Sequence, residues 1–183
     1  QFAQRLSALV EAGSFPGRVV LLPFDRAYAT TGQAEQQRTE LYVPDAWVFE
    51  QSTKSAGRFV AALSVHPYRA DAVEALEQGA RRGARIVKWL PNTMGMDPAD
   101  PRCDEFYRAM VRCKLSLLSH AGEEQAVDAR ERQELGNPLR LRRALDHGVR
   151  VIVAHCATLG EFDDLDAPGQ RAHSFALFSR MMD

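Results

Sequence analysis

The chain reads as an α/β protein of repeating strand–helix units, arranged as an arc of a parallel (β/α) barrel. Three observations predict this. Short apolar runs end on chemistry-bearing residues: Lys88 in Ile86-Val87-Lys88-Trp89, His120 in Leu115-Ser116-Leu117-Leu118-Ser119-His120, and His155 in Val151-Ile152-Val153-Ala154-His155. These residues lie 32 and 35 positions apart, each close to the roughly 30 residues of one βα unit. The runs are almost continuously apolar, as strands covered on both faces must be, whereas an antiparallel sandwich would alternate more cleanly. Reactive groups of such a barrel gather at the C-terminal ends of the strands, so the three side chains are expected to point at one place.

Taken in order, Gly13-Ser14-Phe15-Pro16-Gly17 is a turn that releases a first strand over 18–24, and Gly57 releases a second over 58–65. The connection between them is long. It contains a polar stretch over 30–39 and a helix over 45–55, and is read as a lid or insertion above the barrel mouth. Asp71 with Glu74 three residues on forms a capping-box pattern, followed by Val73, Leu76 and Ala80 on one helical face until Gly83 stops the helix. Asp100-Pro101 and Asn137-Pro138 each place a capping side chain before proline at the first helical position. Gly148 closes a helix over 139–147 ahead of the fifth strand, and a final helix runs from Ser174.

Composition narrows the class without naming a function. The 183 residues are 45% hydrophobic and 26% charged with a net charge of −1, which suits a globular chain with an apolar core. Nucleic acid is not indicated, since the basic clusters Arg81-Arg82 and Arg140/Arg142/Arg143 are balanced by acidic residues and read as solvated helix faces. Cys103, Cys113 and Cys156 are odd in number and lack CxxC spacing, so free thiols in a reducing, cytoplasmic compartment are expected. No apolar run approaches the roughly 20 residues that span a bilayer. The first residue is Gln1, the last helix is still running at Asp183, and a typical complete barrel needs about 250 residues; the chain is therefore read as part of a longer protein, in which a leader peptide is not assessable.

A divalent metal that activates water needs a few nitrogen or oxygen ligands held rigidly with a position left for water, and strand-end histidines supply that rigidity. By alternation Val151 and Val153 share an inward face with His155, Ser116 and Leu118 with His120, and Ile86 with Lys88. Lys88 has two readings. Burial lowers a lysine's pKa toward the neutral amine, which can take up carbon dioxide to become a carbamate able to bridge two metals; alternatively it stays charged and pairs with a carboxylate.

The succession Ser64-Val65-His66-Pro67, Ile86-Val87-Lys88-Trp89-Leu90-Pro91-Asn92, Ser119-His120-Ala121-Gly122-Glu123-Glu124, Asn137-Pro138-Leu139 and Ala154-His155-Cys156 resembles the amidohydrolase superfamily, in particular the amidohydrolase-related metal-dependent hydrolases. That family places a His-x-His on strand 1, often a carboxylated lysine or a glutamate on strand 4, histidines on strands 5 and 6, and an aspartate on strand 8. The resemblance implies that Lys88, His120 and His155 match strands 4, 5 and 6. The five strands here would be strands 2 to 6 of a (β/α)8 TIM barrel, and residues 1–183 a single domain forming its central segment. No His-x-His occurs in the chain and strands 7 and 8 are not represented, so half of the family's site is present and the segment alone is expected to be inactive.

The resemblance further implies a hydrolase in which metal-activated water attacks an amide, lactone or ester-like carbonyl of a small-molecule substrate. Its cofactor would be a divalent metal, zinc first, as one or two ions, with Lys88 a candidate for carboxylation. Lys88, His120 and His155 are the catalytic and metal-ligating candidates. His66, Asn92 and Glu123 are the substrate-binding ones, with a structural role the alternative for His66 and helix capping the alternative for Glu123 and its neighbour Glu124. Trp89 and Cys156 are read as packing residues, His147 and His173 as surface ones. Neither nucleic acid nor a membrane is an expected partner, and a homo-oligomer is left open. Other classes stay in view: a decarboxylase on the same scaffold, of the aminocarboxymuconate semialdehyde type; a Schiff-base aldolase with Lys88 as nucleophile; and a non-catalytic barrel fragment.

Overall fold

Five short apolar segments become parallel strands, each reached through a helix or a hooked loop. The computed structural model describes residues 2–13, 17–127 and 129–182. Within them α1 (Phe2–Ala12) precedes β1 (Val19–Leu21), α2 (Asp45–Lys54), β2 (Phe59–Ala61), α3 (Ala72–Arg81) and β3 (Ile86–Trp89). The short α4 (Pro91–Met94), α5 (Asp104–Arg112), β4 (Ser116–Ser119), α6 (Arg142–Asp146) and β5 (Arg150–Val153) follow. An added hairpin, β6 (Glu161–Asp163) and β7 (Arg171–His173), leads into α7 (Ser174–Met182). The turn expected over 13–17 falls largely on residues 14–16, outside the described residues.

The strands lie side by side in chain order. β1 pairs with β2 in parallel, and β3, β4 and β5 form a second parallel sheet. A parallel bridge between Leu63 and Val87 joins the two, with the Leu63 amide donating to the Ile86 carbonyl at 2.8 Å and the Lys88 amide to the Leu63 carbonyl at 2.7 Å. Parallel neighbours in sequence order, with helices between them, are the arrangement the spacing of apolar runs predicts. Residues 161–173 depart from it, because β6 and β7 are antiparallel and pack Phe162 with Leu139 and Leu177 in a small core of their own.

The same helix stop recurs before three strands. Gly83 at φ 98°, Lys114 at φ 55° and Gly148 at φ 81° follow α3, α5 and α6 in the left-handed region. The next amide in each case reaches back five residues: Ala84 to Gly79, Leu115 to Met110, Val149 to Ala144, at 2.9–3.1 Å. That bond satisfies a carbonyl the helix end would otherwise leave free. It also turns the chain straight into β3, β4 and β5. Helix starts are equally local: Asp100 accepts from the Arg102 amide at 2.8 Å and Asn137 from the Leu139 amide at 3.0 Å, each ahead of its proline. The capping box at Asp71 does not form, because Arg69 takes both of its carboxylate oxygens at 2.9 and 2.7 Å. The most buried face of α3 is accordingly Ala72, Leu76 and Gly79, with Val73 and Ala80 at its margins.

Registered residues of parallel strands share a face, so Val87, Leu117 and Val151 point one way, and Lys88, Leu118 and Ile152 the other. The first set meets α3 and α5 in the core. Val87, Leu117, Leu76, Phe106, Tyr107 and Met110 are all at most 1% exposed there. Trp89 lies on this side too, its ring beside Phe106 and Tyr107 and its Nε1–H donating to the Val65 carbonyl at 2.9 Å, which bears out the packing reading. The second face is more open, with Ile152 47% exposed. Among the described residues no helix is long and apolar enough to cross a membrane.

Candidate active site

Strand register delivers two of the three strand-end residues directly. Lys88 sits on the open face of β3 beside Leu118, and two residues beyond Leu118 the same face of β4 presents His120. Lys88 is 6% exposed, and its Nζ has no hydrogen-bond or ion-pair partner among the described residues. Burial lowers its pKa to about 8, against which the nearby Glu124 carboxylate works. An amine so placed spends an appreciable fraction of time neutral near physiological pH.

His155 arrives by a different route from the one alternation predicts. Val151 and Val153 lie on the helix-covered face, in register with Leu117 and Ser119, and continuing β5 would send residue 155 the same way. The chain instead leaves the strand in a left-handed turn, with φ of 40°, 54° and 50° at His155, Cys156 and Ala157. Each such residue without glycine costs roughly 1–2 kcal/mol, and strain of this kind persists where surrounding structure holds it. The turn swings the imidazole over to His120, where His155 Nε2 and His120 Nδ1 stand 2.9 Å apart. Cys156 is left exposed on the turn, which corrects its reading as a packing residue.

The turn rests on Gly122. That residue has φ 98°, and a Cβ on it would stand 2.8 Å from the Leu159 carbonyl oxygen, so glycine is needed both for conformation and for closeness. The Glu123 amide then donates to the same Leu159 carbonyl at 2.9 Å. His120 Nε2 lies 3.1 Å from the Gly122 carbonyl, which can only accept, so Nε2 carries the proton and Nδ1 the lone pair. Burial first, and then the neighbouring His155 and Lys88, lower the His120 pKa to about 4, while Glu124 pulls the other way. The ring is neutral at pH 7.

The His120 tautomer suits a cation. A ligating histidine usually donates its second ring N–H to a carbonyl or carboxylate, which aims the other nitrogen at the metal, and His120 has this arrangement. Its lone-pair nitrogen faces His155 Nε2 and also lies 3.5 Å from Glu124 Oε2, an oxygen that can only accept when ionised. The site is nonetheless incomplete: among the described residues no group of three or more His, Cys, Asp and Glu side chains is assembled to hold a metal. Two imidazole nitrogens with a carboxylate and an amine close by make a partial donor set.

The other candidates fall into place around this pair. Glu124, 8% exposed at its side chain, is the glutamate that approaches His120. Glu123 is tied by its backbone to Leu159 and shares with Glu124, Gln125 and Gln133 a cleft of about 420 Å³. Asn92 is fully buried and donates from Nδ2 to the Gly122 carbonyl at 3.1 Å and to Gln133. His66 is also fully buried, with Nε2 3.1 Å from the Met94 carbonyl and Nδ1 accepting from the Tyr68 amide at 3.2 Å. Both its ring nitrogens are thus engaged by backbone, and burial lowers its pKa to about 3. His173 is exposed, as expected, but His147 is half-buried against the Tyr107 ring and 3.0 Å from Asp104.

Two groups of polar residues escaped the sequence reading. Gln133 ties the loop after β4 together, accepting from the Glu124 amide at 2.9 Å and donating to its carbonyl at 2.7 Å. At the ends of β1 and β2, buried Asp25 accepts from the His66 amide and from Arg69, while Ser64 donates to the Lys88 carbonyl at 2.9 Å and its amide donates to Asp45. Burial raises the Asp45 pKa to about 6. No short motif marks either group; the hydrophobic lead-in to Ser64 and Asp25 was the one available signal. The long connection hooks back through bridges Phe24 to Val43 and Tyr28 to Ala34, and touches His66, Tyr68 and Arg102. It therefore covers the β2 side of the mouth, not the histidine pair.

Parallel βα units that gather imidazoles and an amine at the C-terminal ends of their strands are the arrangement on which barrel folds build sites at that rim. The family model for amidohydrolases matches residues 15–178, and this chain belongs to that family. Among solved structures, Metarhizium anisopliae IDCase in its apo form is similar at 15% identity with a TM-score of 0.48, over 62% of this chain and 36% of that one. The matched part thus spans about a third of that protein's length. A comparison with curated protein sequences found no significant match.

Proposed function

We propose that this chain carries part of the catalytic centre of a metal-dependent hydrolase acting on an amide, lactone or ester-like carbonyl, within a TIM-barrel arc. The observation that carries the reading is the 2.9 Å approach of His120 Nδ1 to His155 Nε2 with the His120 tautomer held by the Gly122 carbonyl. A divalent cation, zinc first, would be held by those two nitrogens, with Glu124 and Lys88 beside them. When bound it would supply Lewis acidity toward a substrate carbonyl. Lys88, with its pKa near 8, can take and return a proton at Nζ, or as a carbamate add a carboxylate-like donor. The cleft along Glu123 and Gln133 opens beside Glu124 and is the place for a small-molecule substrate. Free cysteines suit a reducing compartment such as the cytoplasm.

The test is made in the full-length protein with His120→Ala and His155→Ala, measuring bound metal by elemental analysis and turnover on amides, lactones and carboxylated substrates. Both variants should lose metal and activity. Retention of wild-type metal and turnover by both would refute the assignment, and release of carbon dioxide in place of hydrolysis products would move the reaction to decarboxylation. Lys88→Ala rescued by a short carboxylic acid supports the carbamate, and rescue by amines the Schiff base.

A further inference from the structure

Asn92 is the second residue of α4, just after β3, and the acceptors its amide meets lie on the nitrogen side. Nδ2 is 3.1 Å from the Gly122 carbonyl, 3.3 Å from the Gln133 carbonyl and 3.0 Å from Gln133 Oε1. Oδ1, fully buried, has no partner among the described residues. Turning the amide over would set Oδ1 against three acceptors, so the orientation is determined and the side chain is held for its NH2 group. A buried acceptor left without a donor calls for an explanation, and the Gly122 carbonyl supplies one, since it also receives His120 Nε2 at 3.1 Å.

The loop from His120 to Glu124 is gripped at its middle and at its far end by a bonded pair of amides. Asn92 holds the Gly122 carbonyl, and Gln133, bonded to Asn92, holds the Glu124 amide and carbonyl at 2.9 and 2.7 Å. From the far side the Gly122 amide donates to the Gly136 carbonyl at 2.7 Å. A Cβ on Gly136 would stand 2.2 Å from the Gly122 oxygen and 2.5 Å from Asn92 Nδ2, so the three groups meet with no room for a methyl. This carbonyl cannot swing away from His120 while the clamp is intact.

We propose that Asn92 is a positioning residue: with Gln133 it fixes the Gly122 carbonyl, which holds the proton on His120 Nε2 and keeps the Nδ1 lone pair turned toward His155 and Glu124. This gives Asn92 a role through His120 in place of contact with substrate. The consequence for metal rests on the function proposed above, whereas the consequence for the tautomer does not.

The experiment uses Asn92→Ala in the full-length protein, with Gln133→Ala as the second variant should the first not fold. Two quantities are read: Zn²⁺ affinity by chelator competition, and the His120 tautomer by imidazole ¹⁵N shifts in metal-stripped protein. Wild type should show a single Nε2–H form. Asn92→Ala should populate the Nδ1–H form and bind Zn²⁺ about 10–100-fold more weakly, the usual loss on removing a group that orients a ligand. Should wild type take up no Zn²⁺, the metal reading falls and the tautomer alone decides. An unchanged Nε2–H form in a folded variant overturns the inference whatever the metal does.

Discussion

Gly122 and Gly148 separate two reasons for glycine, and replacing each by alanine measures them apart. Both have positive φ, 98° and 81°, where an L-residue costs roughly 1–2 kcal/mol. A Cβ on Gly148 would meet nothing within 4 Å, whereas on Gly122 it would stand 2.8 Å from the Leu159 carbonyl oxygen. That oxygen is backbone and already accepts from the Glu123 amide, so no side-chain rotation relieves the contact. Overpacking of this kind adds about 1–3 kcal/mol. Gly148→Ala is expected to lose about 1–2 kcal/mol from strain alone, and Gly122→Ala about 2–5 kcal/mol from strain and overpacking together. At roughly 2–4 °C per kcal/mol for a chain of this size, the second variant should melt about 2–12 °C below the first in parallel thermal scans followed by circular dichroism. Equal melting temperatures would show that the turn at 155–159 yields freely, and with it the argument that this turn is rigid enough to aim His155 would fail.

Two further outcomes follow from the geometry. His66 has a folded pKa of about 3, below its ordinary value of 6.5, so the folded state resists protonation; the stability it contributes is present above pH 6.5 and is lost as the pH falls toward 3. Urea unfolding of wild type against His66→Gln should narrow their difference by on the order of 1.4 kcal/mol per pH unit below 6.5, and a constant difference from pH 7 to pH 5 would contradict the burial account. Lys114 occupies with φ 55° the helix-stop position that Gly83 and Gly148 fill elsewhere. Relief of that strain exceeds glycine's extra folding entropy by up to about 1 kcal/mol, so Lys114→Gly should raise the melting temperature slightly, and a lowered one would count against the strain.

What was legible in the sequence is what short-range chemistry decides. Glycine after an apolar helix can take a left-handed φ, asparagine before proline can reach the next free amide, and an apolar run of strand length has nowhere to go but between layers. Gly83, Asn137 and the runs ending near Lys88 and His120 therefore announced the repeating units and the placement of two reactive side chains. Asp71 misled because the competitor for its carboxylate, Arg69, forms a bidentate pair that outweighs a single bond to a helix amide.

The rest was decided in three dimensions. Simple alternation predicts that His155 shares a face with Val151 and Val153, but a strained turn, supported by the close approach of Gly122 to residues 157–159, sends it to the opposite one. Which glutamate meets His120, and that Asn92 serves a backbone carbonyl, depend on Gln133, 41 residues from Asn92 in sequence. Hydrogen bonds over such separations leave no periodicity or spacing to read. They exist only once packing has brought the donors and acceptors together, and burial then makes each unmade bond costly enough to select a single arrangement.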